Sequence, residues 1–220
     1  MAKRIFLALI VLTLAACGAF AQVSIGVGGN FAVNWDSITA KGGGSTEEML
    51  FTSSGGGFYA FLDATYLEVD VGMLFGSQKV KFSSGGYSSE YDNATGTNLT
   101  LGLFGKYPID LGGFTLFPML GIQLDIGLNA KDPDGNDIKF GQGNMPSMAD
   151  YTNRFWVKFG VGADLNLSDA VYLRPSFLYG VNFGTKYITD LVKDANDYPG
   201  VTATGFYHGL DIRVALGFRL

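Results

Sequence analysis

From Val23 onward the chain alternates apolar residues with small or polar ones at a period of two, the pattern of a strand whose two faces meet different surroundings. Val23, Ile25, Val27, Phe31, Val33 and Trp35 share one parity; Ser24, Gly26, Gly28, Asn30, Ala32 and Asn34 share the other. The same rhythm predicts seven more strands. One lies near 57–62 (Phe58, Ala60, Leu62), the next over 66–76 (Leu67 to Phe75), and a fourth over 98–107 (Leu99, Leu101, Leu103, Tyr107). The fifth carries Leu116, Leu120, Ile122, Leu124 and Ile126, and the sixth Phe155, Val157, Phe159, Val161 and Leu165. The seventh shows Val171, Leu173, Phe177, Tyr179, Val181 and Phe183; the last, Leu210 through Leu220 in steps of two.

The connections have a rhythm of their own. Those after the second, fourth and sixth strands (63–65, 108–113, 166–170) are short, and those after the first, third, fifth and seventh run to roughly 20 to 27 residues. Compact soluble domains prefer about 4 to 6. Short turns at one end and long connections at the other predict an all-β, eight-stranded antiparallel up-and-down transmembrane β-barrel, with both chain ends on the short-turn side. Pro118 and Pro175 fall on the apolar parity of the fifth and seventh strands, where a bulge or frayed pair is expected to absorb the missing N–H. Lys79, Val80, Lys81 and Phe82 break the parity of the third, so its membrane part is expected to end near Gly76. Within the long connections, Ser45-Thr46-Glu47-Glu48 reads as a helix capping box and Thr189 as the cap of a short helix over 190–193.

Residue types decide what each face meets. No Asp, Glu, Lys or Arg falls on the apolar parity; a basic side chain there would cost about 2–4 kcal/mol at mid-bilayer. The other parity holds eleven glycines (26, 28, 72, 76, 102, 121, 160, 162, 180, 209 and 217) beside Phe61, Phe104, Phe117, Trp156, Tyr172 and Tyr207. A soluble lipocalin would show water a surface dense in long charged side chains. Glycines among rings instead suit a narrow interior that side chains fill. Gly162→Ser is expected to be mild unless it crowds Trp156. Composition agrees: 47% of residues are apolar and 16% charged, with no second apolar run of helical spanning length. A bilayer admits only helices or closed barrels.

The inner parity also carries five acids, Glu68, Asp70, Asp125, Asp164 and Asp211, and five bases, Lys106, Lys158, Arg174, Arg213 and Arg219. Ionised groups drawn out of bulk water need partners, so a neutral ion-pair network across the lumen is expected. A gated ion path through the same charges is the alternative.

Ahead of the strands, Lys3 and Arg4 precede an apolar stretch over 5–16 too short to span a membrane, and Ala19-Phe20-Ala21 offers a signal-peptidase site. The expected division is a signal peptide over 1–21 and a barrel over 22–220. Leu14-Ala15-Ala16-Cys17 matches a lipobox, in which Cys17 would be acylated; the strand that starts directly after Gln22 leaves little tether and favours the ordinary cut.

These features together resemble the small outer-membrane barrels of the OmpA and OmpX type, over the whole chain after the export segment. The resemblance implies a location in the outer membrane of a diderm bacterium, with external loops and periplasmic termini. Its last strand is similar to the signal read by the barrel-assembly machinery, with Phe218 and Leu220 at alternate terminal positions; the family ends in Phe, this chain in Leu. The architecture carries no catalytic motif.

Candidate chemistry is sparse. The one histidine, His208, sits on the apolar parity near the rim, where lipid-modifying barrels place a catalytic His. Leu210 occupies the position where that family puts its nucleophilic serine. Asp132, Asp134 and Asn136 alternate as in a calcium loop, but Asp137 and Gly143 stand where Gly and Glu are needed. No cofactor or metal is expected. Without Lys3 and Arg4 the chain has 13 bases against 20 acids, a charge of −7, of which −5 falls in the long connections. That surface does not invite nucleic acid. The expected protein is a monomeric, non-enzymatic barrel in contact with outer-membrane lipid, its external loops serving adhesion or ligand contact. A channel for small apolar molecules of the OmpW type is the first alternative, and a lipid A-modifying barrel enzyme the second. The membrane form should begin at Gln22 by intact-mass measurement; an acylated species beginning at Cys17 would refute this.

Overall fold

Two glycine pairs set the outline of the barrel's loop end. Gly43-Gly44 (φ +57° and +81°) and Gly85-Gly86 (φ +55° and +88°) are two-residue turns with both central residues left-handed, the geometry that lets a hairpin keep its twist. The computed structural model describes residues 22–141 and 146–220; the expected signal peptide, Cys17 and the cleavage point lie outside them. The first turn joins β1 (Val23–Gly42) to β2 (Ser45–Ala64), the second β3 (Leu67–Ser84) to β4 (Tyr87–Lys106). The expected long loops after the first and third strands are therefore strands. The ladder runs unbroken from Val23–Ala64 to Gly42–Ser45, and Ser45 donates its hydroxyl to the Gly42 carbonyl (2.9 Å) instead of capping a helix. Strands of 20 residues far exceed the 9–11 that cross a bilayer.

Five elements complete the sheet: β5 (Ile109–Asp110), β6 (Phe114–Lys131), β7 (Arg154–Asn166), β8 (Val171–Asn182) and β9 (Val201–Arg219). Each long strand pairs antiparallel with its neighbours, β9 returns to β1, and β4 pairs with β6. Eight strands thus close a ring, and the two-residue β5 only tightens the turn beside β6. Closure leaves no edge along the ring, which satisfies the backbone where no water could.

Two helices lie in the long connections, α1 (Met148–Thr152) and α2 (Lys186–Asn196). Thr185, not Thr189, caps α2, accepting from the Ile188 N–H (3.3 Å). Thr189 sits inside, its hydroxyl donating to the Lys186 carbonyl (2.8 Å). Ile188 is buried with Ile38, Phe51, Val80 and Tyr207, and Leu191 and Val192 pack against them. The parity of β3 does not break at Lys79. Val80 points inward and Lys79 outward; the chemistry of the two faces exchanges while the ladder continues.

The prolines cost little pairing. Pro118 accepts from the Tyr107 N–H (3.1 Å), and a residue's C=O and N–H point the same way across an antiparallel strand. Its missing donor therefore faces the spent end of β4. At Pro175 the β7–β8 pairing skips from Gly162–Ser176 to Leu165–Leu173.

The faces separate sharply. Outward Val27 and Val161 are 61% and 51% exposed, while inward Phe104, Phe117 and Trp156 are at most 1% exposed. Inner glycines make room for rings: a Cβ on Gly26 would overlap Phe61, on Gly162 Phe117, and on Gly217 Tyr172. The expected tolerance of Gly162→Ser therefore fails, and through Phe117 instead of Trp156. Both Val161→Arg, at about 2–4 kcal/mol for a charge near mid-bilayer, and Gly162→Ser, at about 1–3 kcal/mol for overpacking, should lower stability in urea titrations of the refolded barrel. Wild-type stability of the serine variant would refute the socket.

Candidate functional site

The inward charges form three tiers along the lumen. In the tier nearest the short turns, Arg174 on β8 lies among three carboxylates. It binds Asp164 in a fork (Nε 2.6 Å, Nη2 2.8 Å) and also donates to Glu68 and Asp63. Lys106 donates to Asp63 as well. The guanidinium lies 4.7 to 5.0 Å from the ring centres of Phe61, Phe117 and Tyr172. A planar, weakly hydrated cation suits such stacking, which desolvation strengthens.

The middle tier centres on Arg213 of β9. It donates to Asp70 (2.7 Å), Asp211 (2.8 Å) and the Gln123 amide oxygen (2.8 Å). Lys158 donates to Gln123 (2.9 Å) and Asp211 (3.1 Å). Asp125 contacts no cation here; it accepts from the Trp156 indole (2.7 Å) and the Gln123 amide (2.6 Å). Toward the loop end, Arg154 of β7 reaches across to Asp36 of β1 (2.5 Å).

Nine of the ten charges expected in the lumen therefore lie in the two inner tiers. Arg219 does not: it donates to the Asp169 carbonyl (3.2 Å) and Asn166 (2.5 Å) at the turn-end rim and stacks on Tyr172 (4.8 Å). β9 ends there, and no lumen remains to enter. Three charges were missed. Asp36 and Arg154 seemed to belong to loops and Asp63 to a turn, yet each keeps the inward parity of its strand, Asp63 following Tyr59 and Phe61. With these changes the described interior holds seven acids and five bases, so the expected neutrality does not hold.

Beyond the middle tier the lumen is not filled. A chamber of about 90 Å³ opens between β1, β2, β3, β4 and β6. Its lid is Tyr151 of α1. The Asn93 amide donates to the Tyr151 hydroxyl (3.0 Å) and to the Gln78 amide oxygen (2.6 Å). Asn93 is free to do so because the β3–β4 register jumps from Gln78–Ala94 to Lys79–Asp92, leaving it the extra residue of a bulge, a device that re-aims a side chain. Phe140 and Tyr187 flank the Tyr151 ring at 5.6 and 5.2 Å. On the far side of Tyr151 a second recess, about 290 Å³, is lined by Met49, Phe51, Val80, Tyr187 and Leu191, among others.

His208 lies among Trp35, Tyr179 and Phe206, with ring centres at 5.2, 5.8 and 4.8 Å. In the third connection Asp132 accepts from the Asn136 N–H (2.8 Å), closing a turn; that bond holds its carboxyl below the usual range. Among the described residues no cluster of His, Cys, Asp and Glu could hold a metal.

No family model matches the sequence, and no curated protein matches it. Among solved structures the chain is similar to the outer membrane protein OprG from Pseudomonas aeruginosa, at 14% identity and a TM-score of 0.47, over 91% of this chain and 96% of that one. It is also similar to Neisserial surface protein A (11%, TM-score 0.40, 87% and 97% covered). A third is the attachment invasion locus protein Ail of Yersinia pestis, in complex with the heparin analogue sucrose octasulfate (10%, TM-score 0.32, 89% and 99% covered). The fold is that of an eight-stranded antiparallel up-and-down β-barrel.

Burial raises the pKa of the Tyr151 phenol, with the Asn93 hydrogen bond opposing it. A raised native value means that Tyr151's contribution is complete below its unfolded value near 10 and is lost as pH rises through the native value. An absorbance titration should show phenolates appearing late, above about pH 10, with one fewer of them in Tyr151→Phe. Equal alkaline profiles for the two proteins would refute the lid.

Proposed function

We propose that this protein is a non-enzymatic surface barrel of the outer membrane, its lumen sealed to ions and its loop end turned outward to contact molecules outside the cell. One observation supports the seal above all. Arg174 with Phe117 and Tyr172, and Trp156 with Phe104, are each at most 2% exposed, so rings and ion pairs occupy the lumen's cross-section at two levels. Breaking a buried pair by removing one partner costs about 3–5 kcal/mol, which makes these tiers poor hinges for a gate. Work is thus left to the loop end, where the hairpins β1–β2 and β3–β4 rise beyond the apolar wall with α2 packed on their inner side. His208, ringed by aromatic side chains, serves as part of the interfacial girdle. Insertion by the assembly machinery through the alternate pattern ending at Phe218 and Leu220, and function as a monomer, complete the reading.

The apolar recess beneath α2 supports a second one, the binding of small apolar molecules at the loop end. Its walls are largely methionine, leucine, valine and aromatic side chains, the usual lining of a small-molecule site.

Planar-bilayer recording tests the seal. The wild type should give no stable, resolved conductance steps. Arg174→Ala, which strips three carboxylates of their shared partner and leaves a void, should leak intermittently. Stable wild-type channels whose size changes in Arg174→Ala would overturn the proposal. Protease added to intact cells should cut within 132–141; protection there would reverse the orientation.

A further inference from the structure

Most inner glycines elsewhere in the barrel have a neighbouring side chain in their space. Phe61 fills the space over Gly26, Phe117 that over Gly162, and Tyr172 that over Gly217. At one level this rule stops. Ala32, Gly55, Gly76, Gly96 and Ala130 stand opposite one another in register across five neighbouring strands, β1, β2, β3, β4 and β6. A Cβ on Gly55 or Gly76 would meet only the backbone of the next strand, and one on Gly96 that backbone and the Ala130 methyl. No ring fills the space, and the chamber beneath Tyr151 is the result. By the usual allowance of about 10–15 Å³ per water in this measure, it has room for about six to nine water-sized positions.

The groups turned into that space are polar and largely uncommitted. Asn34 and Asn98 form no side-chain hydrogen bond among the described residues. Ser53 has only a long one from Gln78 (3.5 Å). The Arg154 side chain is 10% exposed and bound to Asp36; its Nε is buried and has no partner. Asp125 reaches the floor with both oxygens already taken by Trp156 and Gln123. Free donors and acceptors coexist, and the one carboxylate among the described lining residues, Asp125, has no free oxygen to hold a cation.

We propose that this chamber is a binding site for a small neutral polyhydroxylated molecule of about the size of glycerol or erythritol, with Tyr151 as its lid. A hydroxyl both donates and accepts, so a polyol can satisfy the amide oxygens and amide N–H groups of Asn34 and Asn98 and the Ser53 hydroxyl together. The lid belongs to the same construction. Ser53, Gln78, Asn93 and Tyr151 form one hydrogen-bonded chain from the chamber wall to α1. A ligand bonded at Ser53 would thus be felt at the lid.

Saturation-transfer NMR on the full barrel in phosphocholine micelles tests this, with erythritol as probe and n-hexanol and choline as apolar and cationic controls. Saturable transfer to erythritol is expected, exceeding that to either control. Ala94→Leu, which fills the chamber from β4, should weaken it at least tenfold. Tyr151→Phe, which keeps the ring and loses the latch, should weaken it severalfold and speed exchange. Should Ala94→Leu lose heat-modifiable gel migration, Asn98→Val replaces it with the same expectation. Absence of saturable transfer, stronger transfer to hexanol or choline, or an unchanged signal in the folded chamber variant would each overturn the proposal.

Discussion

Backbone groups in a bilayer must bond to each other, and a ring of eight strands is a small way to do so. Its cost is geometric: the interior is about one layer of side chains across, so each inward residue meets those from the opposite wall. A large ring must therefore fold sideways over its neighbour, which has to be short. Gly26 beside Phe61, Gly162 beside Phe117 and Gly217 beside Tyr172 are such pairs, in register on adjacent strands. Glycine is the inner residue most often chosen because the space is already taken, not because its backbone freedom is needed. Positive φ matters at Gly43-Gly44 and Gly85-Gly86, where the hairpins reverse.

Filling that interior with charge needs explanation, since apolar side chains of similar volume often do as well or better for stability. A buried ion pair does give direction. Arg174 satisfies carboxylates on β2, β3 and β7 at once, and Arg213 reaches from β9 to Asp70 on β3. A strand slipped by one residue would turn each of these groups into lipid. Charges inside and none on the apolar parity therefore specify register more sharply than a greasy core could. Phe61, Phe117 and Tyr172 around Arg174 let the same tier be both packed and ionic.

Most of this was legible from parity, because period two survives wherever a strand has two solvents. Inner and outer faces, the eight-stranded ring and the inward charges all rest on that one periodicity. It failed where the surroundings change but the backbone does not. Past Gly76 and Trp35 the outer face meets water, so Lys79 and Lys81 point outward and Val80 inward, and the alternation reads as broken. The glycine pairs at 43–44 and 85–86 were the signal that the ladder continued. Asp36 was lost with the first of those stretches, Asp63 and Arg154 at strand ends read as a turn and a loop, and Arg219 was gained wrongly because parity cannot say where a lumen ends. The bulge at Asn93 and the lid it holds depend on contacts 58 residues apart, which no local pattern carries.

The hairpins that rise past the wall have the same problem as the barrel, with the solvents exchanged. Their outer face is wet and their inner face apolar, and no opposite wall covers it on the side where β7 and β8 have already ended. An amphipathic helix is the economical cover. α2 supplies Ile188, Leu191 and Val192 to Ile38, Phe51, Val80 and Tyr207, and α1 brings Tyr151 down between this small core and the lumen. The interior is therefore packed by two chemistries: ion pairs among rings within the ring of strands, and helices over the hairpins above it. The unfilled spaces lie between these two layers and under the second, where packing requirements are weakest. That is where variation in sequence can shape a pocket without disturbing the ladder that holds the barrel closed.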